Sequence, residues 1–258
     1  MKRILFTTLL ISLIITTIGC GNDSDPIHEQ FLTENAEHSV LVFSRTMGWR
    51  HDSIEAGAEA IVNLGKENSF SVTWTEDPEY FTDDHLSGYD AIIFLNTTLN
   101  VFSHDDQRDS FKKYIQNGGG FVGIHSATDT EYDWPWYGEL VGAYFDNHPN
   151  NPNVRLAVLD VVNNDHISTR HLPERWERSD EWYNFGMISD RIDVLVELDT
   201  DSYEGSDHPG NHPVSWAHEY DGGRAFYTAA GHTIESFSEP LFMEHLLGGI
   251  YYAIGIEE

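Results

Sequence analysis

Gly118-Gly119-Gly120-Phe121-Val122-Gly123-Ile124-His125-Ser126-Ala127-Thr128-Asp129 decides the reading of this chain. A glycine turn feeds a short apolar run, which ends on a histidine followed by small and acidic residues. Such a run, bounded by turn signals, reads as a buried strand. In an open α/β sheet, ligands bind outside the carboxyl ends of the strands. His125 stands at such an end. A second run, Gly223-Arg224-Ala225-Phe226-Tyr227-Thr228-Ala229-Ala230-Gly231-His232, has the same form. One such histidine reads as a satisfied, half-buried side chain. Two at two strand ends point to a site.

The flanking sequence supplies the rest of a sheet. Ser39-Val40-Leu41-Val42-Phe43-Ser44 reads as a first buried strand, Phe70 to Thr75 as a second, and Tyr89 to Leu95 as a third. Between them, Ile54, Ala58, Ile61 and Val62 keep helical spacing, and Asp52 with Glu55 fits a capping box. Ser103 is the expected cap of a further helix with Phe111, Tyr114 and Ile115 on its inner face. The segment Asn117-Gly118-Gly119 ends it. Strands alternating with helices predict a parallel, doubly wound sheet. In the second half, Leu156 to Val162, Ile192 to Leu198, Val214 to Tyr220 and Arg224 to Thr228 read as strands with few helices between them. They are expected to extend the sheet, partly antiparallel. Ser238 to Tyr252 reads as the closing helix.

The start of the chain has a different character. Lys2 and Arg3 precede an apolar stretch, Ile4 to Ile18, too short for a comfortable membrane span. It ends Thr17-Ile18-Gly19-Cys20, which resembles a bacterial lipobox, with Thr17 where leucine is commoner. Cys20 is the only cysteine and the expected lipidation site. We therefore expect a lipoprotein signal peptide at 1–19, a polar tether at 20–36 and one folded domain at 37–258. The expected location is the bacterial cell envelope, outside the cytoplasm, with the membrane met only through the lipid. One cysteine excludes a disulfide framework, a multi-cysteine zinc site and a catalytic thiol in the body. With 14 Lys and Arg against 43 Asp and Glu, the formal charge is -29. Such a surface repels nucleic acid and anionic lipid.

Carboxylates and rings cluster after His125, in Asp129-Thr130-Glu131-Tyr132-Asp133-Trp134-Pro135-Trp136-Tyr137, followed by His148-Pro149. Rings cover the apolar faces of pyranose units, and carboxylates bind hydroxyls or move protons. Asp180-Glu181-Trp182-Tyr183 repeats the pattern. The candidate catalytic residues are His125, Asp129, Glu131, Glu181 and His232. Trp134, Trp136, Tyr183 and Arg224 are the candidate substrate contacts, although Trp134 and Trp136 read equally well as rim packing, and Arg224 as half of an ion pair. His125, His148 and His232, with Glu181, have the donor types for zinc or a similar divalent metal. Trp216 reads as core. No G-x-G-x-x-G follows the first strand and no P-loop occurs, so no nucleotide cofactor is indicated. The strand-to-helix elbow carries His125 rather than a serine, which argues against serine nucleophile catalysis.

Taken together, these segments resemble the ThuA-like (trehalose-utilisation) family. The resemblance is carried by Gly123-Ile124-His125, Asp129 to Tyr137, His148-Pro149, His212-Pro213-Val214-Ser215-Trp216, Gly223 to Tyr227, Gly231-His232 and Leu246-Leu247-Gly248-Gly249-Ile250. It implies a flavodoxin-like three-layer sandwich with a mainly parallel sheet, of the class I glutamine amidotransferase-like type. Those amidotransferases place a cysteine where His125 stands, so glutaminase chemistry is not implied. The resemblance also implies a link to sugar metabolism. Two expectations follow. One is an enzyme acting on a sugar or keto-sugar by hydrolysis, elimination or isomerisation, with or without a metal. The other is a non-catalytic glycan-binding lipoprotein. In both, the expected partner is a sugar or glycan.

Overall fold

The computed structural model describes residues 27–208 and 210–256. The apolar leader and Cys20 lie outside them. The chain forms β1 (His28–Phe31), β2 (His38–Phe43), α1 (Ile54–Glu67), β3 (Phe70–Thr75), α2 (Asp83–Leu86), β4 (Ala91–Leu95), α3 (Asp105–Gln116) and β5 (Gly120–Ile124). There follow α4 (Pro135–Val141), β6 (Ala143–Asn147), β7 (Val154–Val161), β8 (Arg175–Glu181), β9 (Asn184–Ile188), β10 (Asp193–Leu198), β11 (Pro213–Tyr220), β12 (Gly223–Thr228) and α5 (Pro240–Ile254). Single 3-10 turns stand at His125–Asp129 and Ile234–Ser238.

Ten strands make one mixed sheet, in the order β1-β3-β2-β4-β5-β12-β11-β10-β7-β8. The five from β3 to β12 are mutually parallel, and the rest pair antiparallel. β6 and β9 form a separate ribbon. The parallel strands are apolar because helices cover both faces. On β5, a Cβ at Gly120 would run into the Ala253 carbonyl of α5. The next residue, Phe121, points the other way, onto Phe111 of α3 and Tyr137 of α4. Only glycine lets α5 lie this close to the strand.

Several expectations shift. β1 falls inside the segment read as a tether and pairs antiparallel with β3, so ordered structure begins before residue 37. The cap of α1 is Ser53, not Asp52, and its hydroxyl donates to the Gly231 carbonyl at 2.9 Å instead of capping. Helix α3 starts one residue late, because Gln107 accepts from the backbone of both Ser103 and His104. Trp216 is fully buried, as its strand period implied.

Two buried polar residues hold this frame together away from the cleft. Glu131 is 1% exposed and accepts from Arg108 Nε at 2.7 Å and from the Phe102 amide at 3.1 Å. It ties the loop after β5 to α3. His245 of α5 is buried, with Nδ1 2.7 Å from the Ser168 carbonyl and Nε2 3.1 Å from Ser215 Oγ. Burial pushes its pKa down to about 3.

Removing one partner of a buried ion pair leaves an uncompensated charge. Arg108 is partly solvated, so Glu131→Gln is expected to lower stability by about 2 kcal/mol, read by urea unfolding. For His245, the folded pKa lies below the unfolded value of about 6.5. Its stabilising contribution is therefore full above pH 6.5 and is lost as pH falls toward 3. Between pH 6.5 and 5, His245→Gln should lose about 2 kcal/mol less stability than the parent. Parallel stability profiles for the two proteins would remove this assignment.

Candidate metal centre and cleft

The carboxyl ends of β2, β5, β8 and β12 all point the same way, and each feeds one residue into a common site. His125 follows β5 at once, with φ of 49°. This left-handed geometry is uncommon and strained for a residue with a side chain. It turns the imidazole sharply off the strand end. Nδ1 lies 2.8 Å from the Ala229 carbonyl, which can only accept, so Nδ1 carries the proton. Nε2 faces the other donors of the site. The Tyr183 ring packs on the imidazole with centroids 4.2 Å apart. Tyr227 Oη donates to the His125 carbonyl at 2.7 Å.

His125 Nε2 is 3.4 Å from Glu181 Oε2 and 3.3 Å from His232 Nδ1, and His232 Nδ1 is 3.1 Å from Glu181 Oε2. His51, from the loop after β2, completes the group, with all four donor atoms within 4.8 Å of one another. A tetrahedral ion with bonds of about 2.0–2.2 Å holds its donors roughly 3.3–3.6 Å apart. The His125–His232–Glu181 triangle has that spacing or slightly less. Three imidazoles and one carboxylate suit zinc or a similar divalent transition metal. This four-residue group could hold such an ion.

Asp180 sets the triangle. Its Oδ1 accepts from the backbone amides of Glu181 at 2.9 Å and His232 at 3.1 Å. Its Oδ2 accepts from the Gly231 amide, Ser236 Oγ and Arg178 Nη2 at 2.9, 3.0 and 3.1 Å. One buried carboxylate thus fixes the end of β8 against the loop that leaves β12. Asn153 Nδ2 donates to Glu181 Oε1 at 2.6 Å and lies 3.3 Å from His232 Nε2.

The electrostatics follow from burial and contact. Burial alone would raise the Glu181 carboxyl, but hydrogen bonds from His125 and His232 hold it well below the usual carboxylate range. Burial alone would lower His232, but the Glu181 hydrogen bond and charge raise it. Burial, then the facing His125 and His232, pushes His51 down to about 2. His51 is therefore a neutral imidazole at pH 7, the form that binds metal. Burial also raises Asp129, opposed by the Tyr132 hydroxyl, which donates to it at 2.6 Å.

The group lies at an open cleft of about 580 Å³. Of the residues expected at the site, His125, Glu181 and His232 converge, and Asp129, His148 and Tyr183 line the cleft. His148 Nδ1 is 3.5 Å from Glu181 Oε1, beside the four-donor group rather than within it. Four residues are elsewhere. Glu131 is consumed by Arg108. Trp134 and Trp136 pack on each other and on Phe111, and Trp136 Nε1 donates to Asp221. Arg224 begins β12, so it sits at the amino end of a strand whose carboxyl end feeds the site. It is not among the residues that line this cleft. His51, Asn153 and Trp49 were missed. His51 obeys the strand-end rule that found His125, but a seven-residue stretch separates it from β2 and hides the relation.

The family profile for trehalose utilisation (ThuA) matches residues 39–253. A putative ThuA-like protein from Bacteroides uniformis has the same fold, at 22% identity and a TM-score of 0.73, over 92% of this chain and 97% of that one. Another from Parabacteroides merdae is similar at 17% identity and a TM-score of 0.63, over 85% and 91%. A β-galactosidase from Bacillus circulans shares the fold at 14% identity and a TM-score of 0.54, over 85% of this chain but 31% of its own. Among curated proteins, none matches this sequence. The profile spans most of the chain, from β2 through the body of α5, and takes in all four converging residues: the chain belongs to the ThuA (trehalose utilisation) family.

Proposed function

We propose that this protein is a metal-assisted enzyme of the cell envelope that acts on a sugar or keto-sugar. The observation that carries this reading is the convergence of three imidazoles and one carboxylate at an open cleft walled by rings and hydrogen-bonding groups. His51, His125, His232 and Glu181 would hold the ion. A bound divalent ion supplies a Lewis acid for a carbonyl or hydroxyl oxygen, or lowers the pKa of a water. That chemistry suits hydrolysis, elimination or isomerisation.

The chain's own residues divide the remaining work. Asp129 stands in the cleft wall, where burial raises its pKa and the Tyr132 hydroxyl lies 2.6 Å away, so its carboxyl is placed to exchange a proton with a bound sugar. His148 stands beside Glu181 at the rim and can take a second proton. Phe145 and Tyr183, with rings 4.2 Å apart, offer an apolar surface for the face of a pyranose, with Trp49 standing exposed at the mouth. Glutaminase chemistry has no support, because the elbow holds His125 and the sole cysteine, Cys20, lies outside the profile match.

The same reading covers fold class and location. In chain order, the parallel strands β3-β2-β4-β5-β12 run second, first, third, fourth, fifth. That is the flavodoxin-like order, and it supports a three-layer sandwich of the amidotransferase-like type. The Lys2-Arg3 start, the apolar stretch and Gly19-Cys20 support lipidation at Cys20. No helix among the described residues is long and apolar enough to cross a membrane.

The test is turnover of neutral glycans and keto-sugars by metal-stripped and metal-restored protein. We expect turnover only after restoration, reduced by a factor on the order of 100 or more in His125→Ala. Binding of a sugar with no chemical change would instead make this a glycan-binding lipoprotein. Turnover indifferent to both the metal and His125→Ala would contradict the proposal.

A further inference from the structure

The cleft has a charge pattern that the proposed chemistry does not use. Among the described residues, three carboxylates besides Glu181 stand in its wall, from Asp52, Asp129 and Glu235, and no lysine or arginine does. The two arginines nearest in sequence are turned away and occupied. Arg50, between Trp49 and His51, gives its guanidinium to Glu55 and Glu76, each at 2.7 Å. Arg155, next to Val154, donates to the carbonyls of Pro152, Glu204 and Asn150 at 3.0, 2.6 and 3.2 Å. Asp52 and Glu235 are exposed and form no ion pair among the described residues. Even with a divalent ion on its four donors, the cleft keeps a formal charge of about -2, or about -1 with Asp129 protonated.

We propose that this cleft selects uncharged polyhydroxylated sugars and rejects their phosphorylated, sulfated and uronic-acid counterparts. Asp52 and Glu235 are the specificity-determining residues. The inference rests on the reading of the cleft as a sugar site. A neutral sugar brings hydroxyl donors, which carboxylates accept in charge-assisted hydrogen bonds. Asn150 and Asn153 add amide donors and acceptors, and the rings take the C–H face. An anionic substituent would give up water without finding a lysine or arginine in the wall and would enter a field that stays negative with the ion bound. Discrimination of this kind works by repulsion of the wrong ligand as much as by attraction of the right one. The acidic surface of the whole chain reinforces it at long range.

The test compares matched methyl glycosides of the gluco and galacto series on the full-length, metal-restored protein. Each series contains the neutral sugar, the uronic acid, the 6-sulfate, the 6-phosphate and the 2-amino sugar. Binding is read by titration at low salt and at about 0.3 M salt, where screening is severe. We expect the neutral sugar to bind at least about tenfold tighter than each anionic counterpart, with the gap narrowing at high salt. In Asp52→Asn/Glu235→Gln the gap should shrink by roughly 3–10-fold per charge removed. A merely structural role for these carboxylates would not produce a gap that depends on both salt and charge. An anionic sugar that binds as tightly as the neutral one, or an ammonium sugar that is excluded as an anionic one is, overturns this inference and leaves the sugar reading standing. Failure of every sugar, whatever its charge, overturns both.

Discussion

The Asp180 carboxylate is the constraint on which the site depends. In strand order, β8 lies five places from β5. At about 4.8 Å per strand, a flat sheet would put their ends roughly 24 Å apart. Yet Glu181, the last residue of β8, is 3.4 Å from His125, which follows β5. The antiparallel half must therefore curl back over the parallel half, an extreme of the twist that all sheets show. Asp180 holds it there. It takes three backbone amides, one hydroxyl and one guanidinium, and these come from both sides of the fold.

Such a clamp has a cost in the same place. Arg178 is almost fully buried, and its Nε and Nη1 have no hydrogen-bond partner among the described residues. Its guanidinium packs instead on the rings of Trp176 and Phe242, 4.8 and 4.7 Å from their centroids. Burial of an ion pair seldom adds net stability. What the Arg178–Asp180 pair contributes is position: it orients the backbone that carries Glu181 and His232. The strained φ of His125 belongs to the same account. Local stability is given up where donor atoms must meet within a few tenths of an ångström. The remaining polar links near the site, from Ser53 and Asn96 to the Gly231 carbonyl, fix the loop after β12 from its other side.

The parallel half of the fold was legible because its signals are local. Val40 to Phe43 and Ile92 to Leu95 are continuous apolar runs, and α1 shows its face in its spacing. His125 and His232 were legible for the same reason, since each directly follows such a run. What failed was anything that needed the path of the chain in space. Glu181 was a candidate from its acid-and-ring surroundings, but its tetrapeptide alone reads as an exposed acid, and only the curl of the sheet brings it to His125 and His232. His51 is hidden by the stretch between β2 and α1. Glu131, Trp134 and Trp136 carry the residue types of a sugar site. Their loop, however, turns them toward α3, where they meet Arg108 and Phe111. Arg224 lies on the right strand at its wrong end.

Metal binding by the purified, chelator-treated protein, titrated with zinc and counted by mass spectrometry, tests the central claim most directly. The account predicts one tightly held ion per chain, with His125→Ala and His232→Ala each abolishing tight binding while the fold is retained. No bound ion, or an ion whose binding is indifferent to both substitutions, would contradict it. The four converging side chains would then be an acid–base and hydrogen-bonding cluster rather than a coordination site.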